Sequence, residues 1–299
     1  MSRVLGSRRS RRMMRRERRG TALERAVERL AGAASDAGGW RTPPRAGGRT
    51  GRAGGQVAAS AIDPALLAGA AAELVVEQAA LMSGFLDPET GRPLLGETLR
   101  PACRALTARA CARGASRRDR LILVTSPAAG EGKTFVAVNL ALALSKGERR
   151  PVLLIDGDAQ TAGAARALGW PPAPGLSEAL AGDGAPGELI GNSGLEHLSF
   201  VPPGSPSVAM AGLLAGERAA LVMRELLAAE PDGLLIVDGP PLLTGLVGPA
   251  LAAHAGQVVL VVAAGRTTQQ AIDASLARLG ERRNLHCLLT RPASPRERT

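Results

Sequence analysis

The window 121–141, LILVTSPAAGEGKTFVAVNLA, constrains the fold more than any other stretch of the chain. A short apolar, β-branched run ending at Thr125 reads as a buried strand. Residues 126–132 read as a loop of small side chains, and the apolar run opened by Lys133 and Thr134 reads as a helix. Strand, loop and helix in that order are the setting a phosphate-binding loop requires. Glycines at 130 and 132 let the backbone curl so that several N–H groups point inward at an anion. The helix N-terminus adds a partial positive charge. In such a loop the lysine reaches the β- and γ-phosphates and the following hydroxyl ligates Mg²⁺. Gly130, Glu131, Gly132, Lys133, Thr134 and Phe135 are therefore the candidate ATP-binding segment. The first glycine of the full G-x-x-x-x-G-K-[ST] pattern would fall at Pro127, so the entrance to the loop is altered. Taken alone, the loop also admits a glycine turn that binds nothing.

Two further stretches oppose that alternative. VLLIDGD at 152–158 is an apolar strand ending in Asp156, with Asp158 two residues on. Period-two geometry puts both carboxylates on one side if the chain stays extended. LLIVDGPP at 234–241 is a second apolar strand, ending in Asp238 at a tight turn. A strand-terminal aspartate beside a phosphate loop holds Mg²⁺ directly or through water, so Thr134, Asp156 and Asp238 form the candidate metal set. Either aspartate alone reads equally well as a turn former or helix cap. Their order after the glycine loop favours the nucleotide.

Around these motifs the chain alternates. Strands are expected at 121–125, 152–156, 198–201, 234–238, 258–263 and 285–289. Helices are expected at 134–145, 161–168, 176–181, 208–229, 246–253 and 268–282. Alternating buried strands and helices predict an α/β fold, a mostly parallel sheet with helices on both faces, and a site at the carboxyl ends of the strands. Aromatic residues make up only 2% of the chain and tyrosine is absent, so small aliphatic side chains must build the core.

The net charge of +10 belongs mostly to one end. Residues 1–20 hold nine arginines and one glutamate, which leaves the rest near +2. This divides the chain into a basic tail (1–20), a short amphipathic helix (21–33), with Thr21 and Glu24 spaced as a capping box, and a Gly/Pro/Arg linker (34–60). A helical N-terminal region (61–118) follows, broken around 87–93, then the phosphate-loop domain (119–292) and a short tail (293–299). The arginine block suits anionic lipid, with a plain solvated tail as the alternative. No aromatic residues interleave it, so no specific nucleic acid is expected. Three cysteines without metal-ligand spacing and the absence of a long apolar segment point to a reducing interior and no spanning helix.

SPAAGEGKTFVAVNLALAL, PVLLIDGDA and LLIVDGPPLL together resemble the Walker-type A, A′ and B motifs of bacterial tyrosine kinases that regulate capsular and exopolysaccharide synthesis. TALERAVERL, LLAGERAALVMREL and AGQVVLVVAAGRTTQQAIDASLARL are most similar to the exosortase-associated branch of that family. The resemblance implies a P-loop NTPase fold, with ATP and Mg²⁺ as cofactors. It implies catalytic roles for Lys133, Asp156 and Asp158, and a B-motif metal role for Asp238. It also implies an inner-membrane polysaccharide chain-length (co-polymerase) partner, assembly with further copies of itself, and a cytoplasmic location at that membrane. Four positions depart from the family pattern. No tyrosine cluster exists to be autophosphorylated, and Ala159, Gln160 and Thr161 stand where a basic residue normally follows the A′ acids. Thr290 replaces an asparagine that helps hold the base, and Glu97, Arg100 and Arg104 match the family's oligomerisation helix only loosely. A Min/Par-type ATPase shares the fold, but Ala128 occupies the place of that group's extra lysine. A non-catalytic nucleotide-binding scaffold is the third reading.

Overall fold

The computed structural model describes Phe85, Leu86, residues 92–282 and residues 284–290. The expectations for 1–20, 21–33, 34–60 and 293–299, and most of those for 61–95, lie outside the described residues. In chain order the elements are α1 (Gly96–Ala110), a 3-10 turn (Arg117–Arg120), β1 (Leu121–Thr125) and α2 (Lys133–Leu142). Next come β2 (Val152–Asp156), α3 (Gly163–Ala167), α4 (Leu176–Ala181), β3 (Gly191–Asn192) and β4 (Leu198–Val201). The remainder is α5 (Met210–Ala215), α6 (Glu217–Ala229), β5 (Leu234–Asp238), α7 (Val247–His254), β6 (Gln257–Ala263), α8 (Gln269–Leu279) and β7 (Leu285–Thr290).

The strands form one sheet in the order β3-β4-β2-β5-β1-β6-β7. Every pairing is parallel except β3 with β4. β1, β2, β5 and β6 are buried along their whole length, which is why they read as unbroken apolar runs. Alternate side chains feed two cores. Ile122, Val124, Leu154, Ile236, Val259 and Val261 pack beneath α1, α2 and α3. Leu121, Leu123, Leu153, Val237, Val258 and Leu260 pack beneath α4 to α8. The aromatic shortage is met by Leu, Val and Ala, with Phe200 packed at a tilt of 53° against Trp170, centroids 5.0 Å apart. α2 is apolar on nearly all sides, buries Val136 through Leu142, and runs into a π turn at Ala143–Gly147.

The six expected strands are present within one residue at each end. β3, only two residues long, carries too little pattern to be foreseen. The helix expected at 208–229 is two helices. Gly216 takes φ −79°, ψ 165°, ending α5 and starting α6. Periodicity runs through such a break because both helices bury apolar residues on the same core.

At the amino end of the sheet, arginines close helix ends. Arg120 donates to the carbonyls of Leu227 (3.1 Å) and Glu230 (2.8 Å) at the end of α6. Arg118 reaches His254 (3.1 Å), and Arg282 reaches Ala255 (3.0 Å), at the end of α7. These carbonyls have no partner inside their helices, and a guanidinium there also suits the helix dipole. The opposite, carboxyl end of the sheet is left for the site.

Candidate nucleotide site

Asp156 and Asp238 are register partners on β2 and β5, and Val124 of β1 pairs with Asp238. The glycine loop therefore leaves β1 directly beside two carboxylates. Gly130 and Gly132 have φ of 76° and 92°, a region that costs a side-chain-bearing residue about 1–2 kcal/mol. Gly132 is also the N-cap of α2, so the unpaired N–H groups of the first helical turn open toward the loop.

The loop is held from outside. The buried Glu131 carboxylate accepts the N–H of Ala128 (2.9 Å) through one oxygen and the Thr267 hydroxyl (2.6 Å) through the other. Arg266 donates to the Gly130 carbonyl (3.0 Å), and Thr290 donates to the Glu131 carbonyl (2.8 Å). Bonds to these carbonyls orient the loop's peptides while leaving their N–H groups for an anion. Glu131 thus serves the segment as a brace. The ring of Phe135 packs on Phe85, with centroids 5.6 Å apart and 34° between planes. What Phe135 offers the segment is its backbone N–H.

The acids differ in their surroundings. Asp156 accepts the N–H of Asp158 (3.1 Å) and of Ala165 (3.0 Å), one on each oxygen. It ties the start of α3 to the end of β2. Burial pushes its carboxyl up to about 6 despite those two bonds. Asp238 is fully buried, and neither oxygen has a hydrogen-bond partner. Burial first, and the Asp156 charge second, push Asp238 up to about 7, against the pull of Lys133 and the nearby Thr134 hydroxyl. An orphaned buried carboxylate is costly unless a cation or donor completes it. Space for one exists because residue 163 is glycine. A Cβ there would lie 2.7 Å from the Thr134 hydroxyl and 3.5 Å from Asp238 Oδ2.

Thr134, Asp238 and, through water, Asp156 thus fit a Mg²⁺ ion that keeps most of its ligands as phosphate oxygens and waters. Among the described residues, no cluster of three or more His, Cys, Asp or Glu side chains forms a metal cage by itself. Asp158 serves a different purpose. Its buried Oδ2 lies 3.5 Å from Lys133 Nζ and accepts the Thr161 hydroxyl at 2.8 Å. A cleft of about 340 Å³ opens beside them, lined by Ala129, Asp158, Thr161, Met210, Pro241 and Val247 among others.

The structure therefore brings Lys133, Thr134, Asp156, Asp158 and Asp238 together at the ends of β1, β2 and β5. Sequence reading did not anticipate Arg266, Thr267 or the Thr161 hydroxyl. Arg266 and Thr267 lie 136 residues from their loop partners, with no local signal. Thr161 stood in view only as a departure from a basic position.

Residues 122–286 match the CobQ/CobB/MinD/ParA nucleotide binding domain. EpsB of Ralstonia nicotianae, named as a tyrosine-protein kinase, is 32% identical over 161 residues, covering 54% of this chain and 21% of the relative. Tyrosine-protein kinase wzc of Salmonella typhimurium is 29% identical over 166 residues, covering 55% and 22%. The chain thus spans only about a fifth of the length of these relatives. Among solved structures, the kinase domain of Escherichia coli tyrosine kinase ETK superposes with a TM-score of 0.57 at 24% identity, over 67% of this chain and 75% of that one. The BceF tyrosine kinase domain gives 0.57 at 25% identity, over 72% and 88%. The resemblance to bacterial tyrosine kinases read from the three motifs is borne out by these relatives. With a match over more than half its length, the chain belongs to the CobQ/CobB/MinD/ParA nucleotide-binding domain family.

Proposed function

We propose that this chain is a Mg-ATP-dependent protein of the bacterial tyrosine-kinase type, of its exosortase-associated branch, that regulates exopolysaccharide synthesis or export. The observation that supports it most is the convergence of Lys133, Thr134, Asp156, Asp158 and Asp238 around one glycine loop, with a buried carboxylate left uncompensated beside it. Mg-ATP would supply a transferable phosphoryl group and a cation beside Asp238. The loop N–H groups and Lys133 would hold its phosphates. Asp158 lines the cleft where a hydroxyl or water would enter, and its carboxylate would take that group's proton. Transfer of this kind rests on alignment and charge compensation, which these side chains provide.

The partner in this reading is an inner-membrane polysaccharide co-polymerase, with the arginine block of residues 1–20 assisting contact with anionic lipid. Glu97 and Arg100, paired with each other on α1, belong to the face proposed for assembly with further copies. A second reading, an ATPase switch or nucleotide-operated scaffold, is favoured by one observation: the chain contains no tyrosine to receive a phosphoryl group from a neighbour. Labelled ATP separates these readings. The purified chain is incubated with Mg²⁺ and γ-labelled ATP, with and without the cytoplasmic segment of the membrane partner. Label on partner tyrosines supports the kinase, and label released only as phosphate supports the switch. Failure to bind ATP removes the nucleotide reading altogether.

A further inference from the structure

Asp158 already holds a hydroxyl. Thr161 Oγ1 donates to Asp158 Oδ2 at 2.8 Å, and that same oxygen lies 3.5 Å from Lys133 Nζ. One carboxylate oxygen thus joins the loop lysine to a side-chain alcohol. The alcohol is held in place by backbone as well. The Asp158 carbonyl accepts the N–H of Thr161 (3.1 Å) and of Ala162 (2.7 Å), closing a tight turn. Ala162 adopts φ 44°, a left-handed conformation unusual for alanine, so the turn is specified against its local preference. Asp158 is buried, whereas Thr161 is exposed on the wall of the cleft that Ala129 of the glycine loop also lines. The other hydroxyls lining that cleft are engaged elsewhere. Thr244 donates to the Pro241 carbonyl (3.2 Å), and Ser207 accepts the N–H of Ala209 (3.2 Å).

We propose that Thr161 is an internal phosphoryl acceptor, modified in cis by the nucleotide bound at the glycine loop. This rests on the nucleotide reading above and adds the substrate to it. Thr161 Oγ1 forms a bond to the γ-phosphorus as the bond from that phosphorus to the β,γ-bridging oxygen breaks. The hydroxyl proton passes to Asp158, and the products are ADP and phosphothreonine. Each chain accepts once. The new dianion then sits beside Asp158, and like-charge repulsion opposes rebinding of a nucleotide.

The test uses the full chain with Mg-ATP, followed by site mapping of phosphopeptides by mass spectrometry. The expected result is phosphate on Thr161, phosphoserine in Thr161→Ser, and loss of that peptide's label in Thr161→Val. The labelling rate should be first order and independent of protein concentration. ADP formed by the wild type with residue 161 unmodified overturns the inference and leaves the nucleotide reading standing. A rate that climbs with protein concentration overturns transfer in cis. A second measurement does not depend on turnover. Thr161→Glu should raise the Kd of a fluorescent ADP analogue severalfold, whereas an unchanged Kd would show that residue 161 does not face the phosphates. Wild-type protein that fails to bind the analogue removes both readings together.

Discussion

At the residue scale, two side chains decide most of the site's behaviour. Lys133 Nζ lies 3.5 Å from Asp158 Oδ2 in the proposed nucleotide site, so Lys133→Ala should abolish the thermal stabilisation expected from Mg-ATP, which for a ligand at a hundred times its Kd amounts to about 2.7 kcal/mol. A melting curve with and without nucleotide reads this directly, and an unchanged shift would remove Lys133 from the site. Asp238 makes the metal-free protein sensitive to pH. Its carboxyl is raised to about 7, so between its ordinary value and about 7 the folded chain binds more protons than the unfolded chain. Stability therefore falls as pH rises through that window and levels off above it. Asp238→Asn should flatten the slope and stabilise the metal-free protein at pH 8 by on the order of 1–3 kcal/mol, with little effect at pH 4. Denaturant titration at the two pH values checks this. Lys133, Thr134, Asp156 and Asp238 were legible in the sequence because each sits where a strand stops or a helix starts, and Asp158 because it follows Asp156 at a spacing of two. Thr161 was not, because its importance comes from a turn that alanine does not advertise.

At the element scale, the glycine loop is shaped by segments far from it in sequence. The β6–α8 connection supplies Arg266 and Thr267, and the end of β7 supplies Thr290. Thr290, read in the sequence as a departure from a base-holding asparagine, donates its hydroxyl to the Glu131 carbonyl. Thr267→Val leaves one oxygen of the buried Glu131 carboxylate without its donor. It should destabilise the fold by about 1–3 kcal/mol and weaken nucleotide binding as the loop loosens. Equal nucleotide affinity in the variant and wild type would show that the brace does not shape the loop. The same scale explains what sequence reading got right and missed. Strands buried on both faces announce themselves, so their bounds were readable to within one residue. The split at Gly216 and the two-residue β3 are set by tertiary contacts, which leave no periodic trace.

At the scale of the whole molecule, the sheet order explains why one short loop can gather so many groups. β1 lies between β5 and β6, and β5 lies between β1 and β2, so three carboxyl ends meet at one place. The arginines at the other end of the sheet have a separate consequence. Arg118, Arg120 and Arg282 spend their guanidinium groups on backbone carbonyls there. Dissolved ions screen attraction between exposed opposite charges, but they compete weakly with short hydrogen bonds to carbonyl dipoles. A protein whose helix ends are fastened this way should hold nearly the same melting temperature from dilute buffer to concentrated sodium chloride. Lysine, a point charge without the planar fork, would not substitute. Arg118, Arg120 and Arg282 therefore act as rivets whose strength depends little on the ionic medium, unlike Arg100 and Arg149, which pair with exposed glutamates.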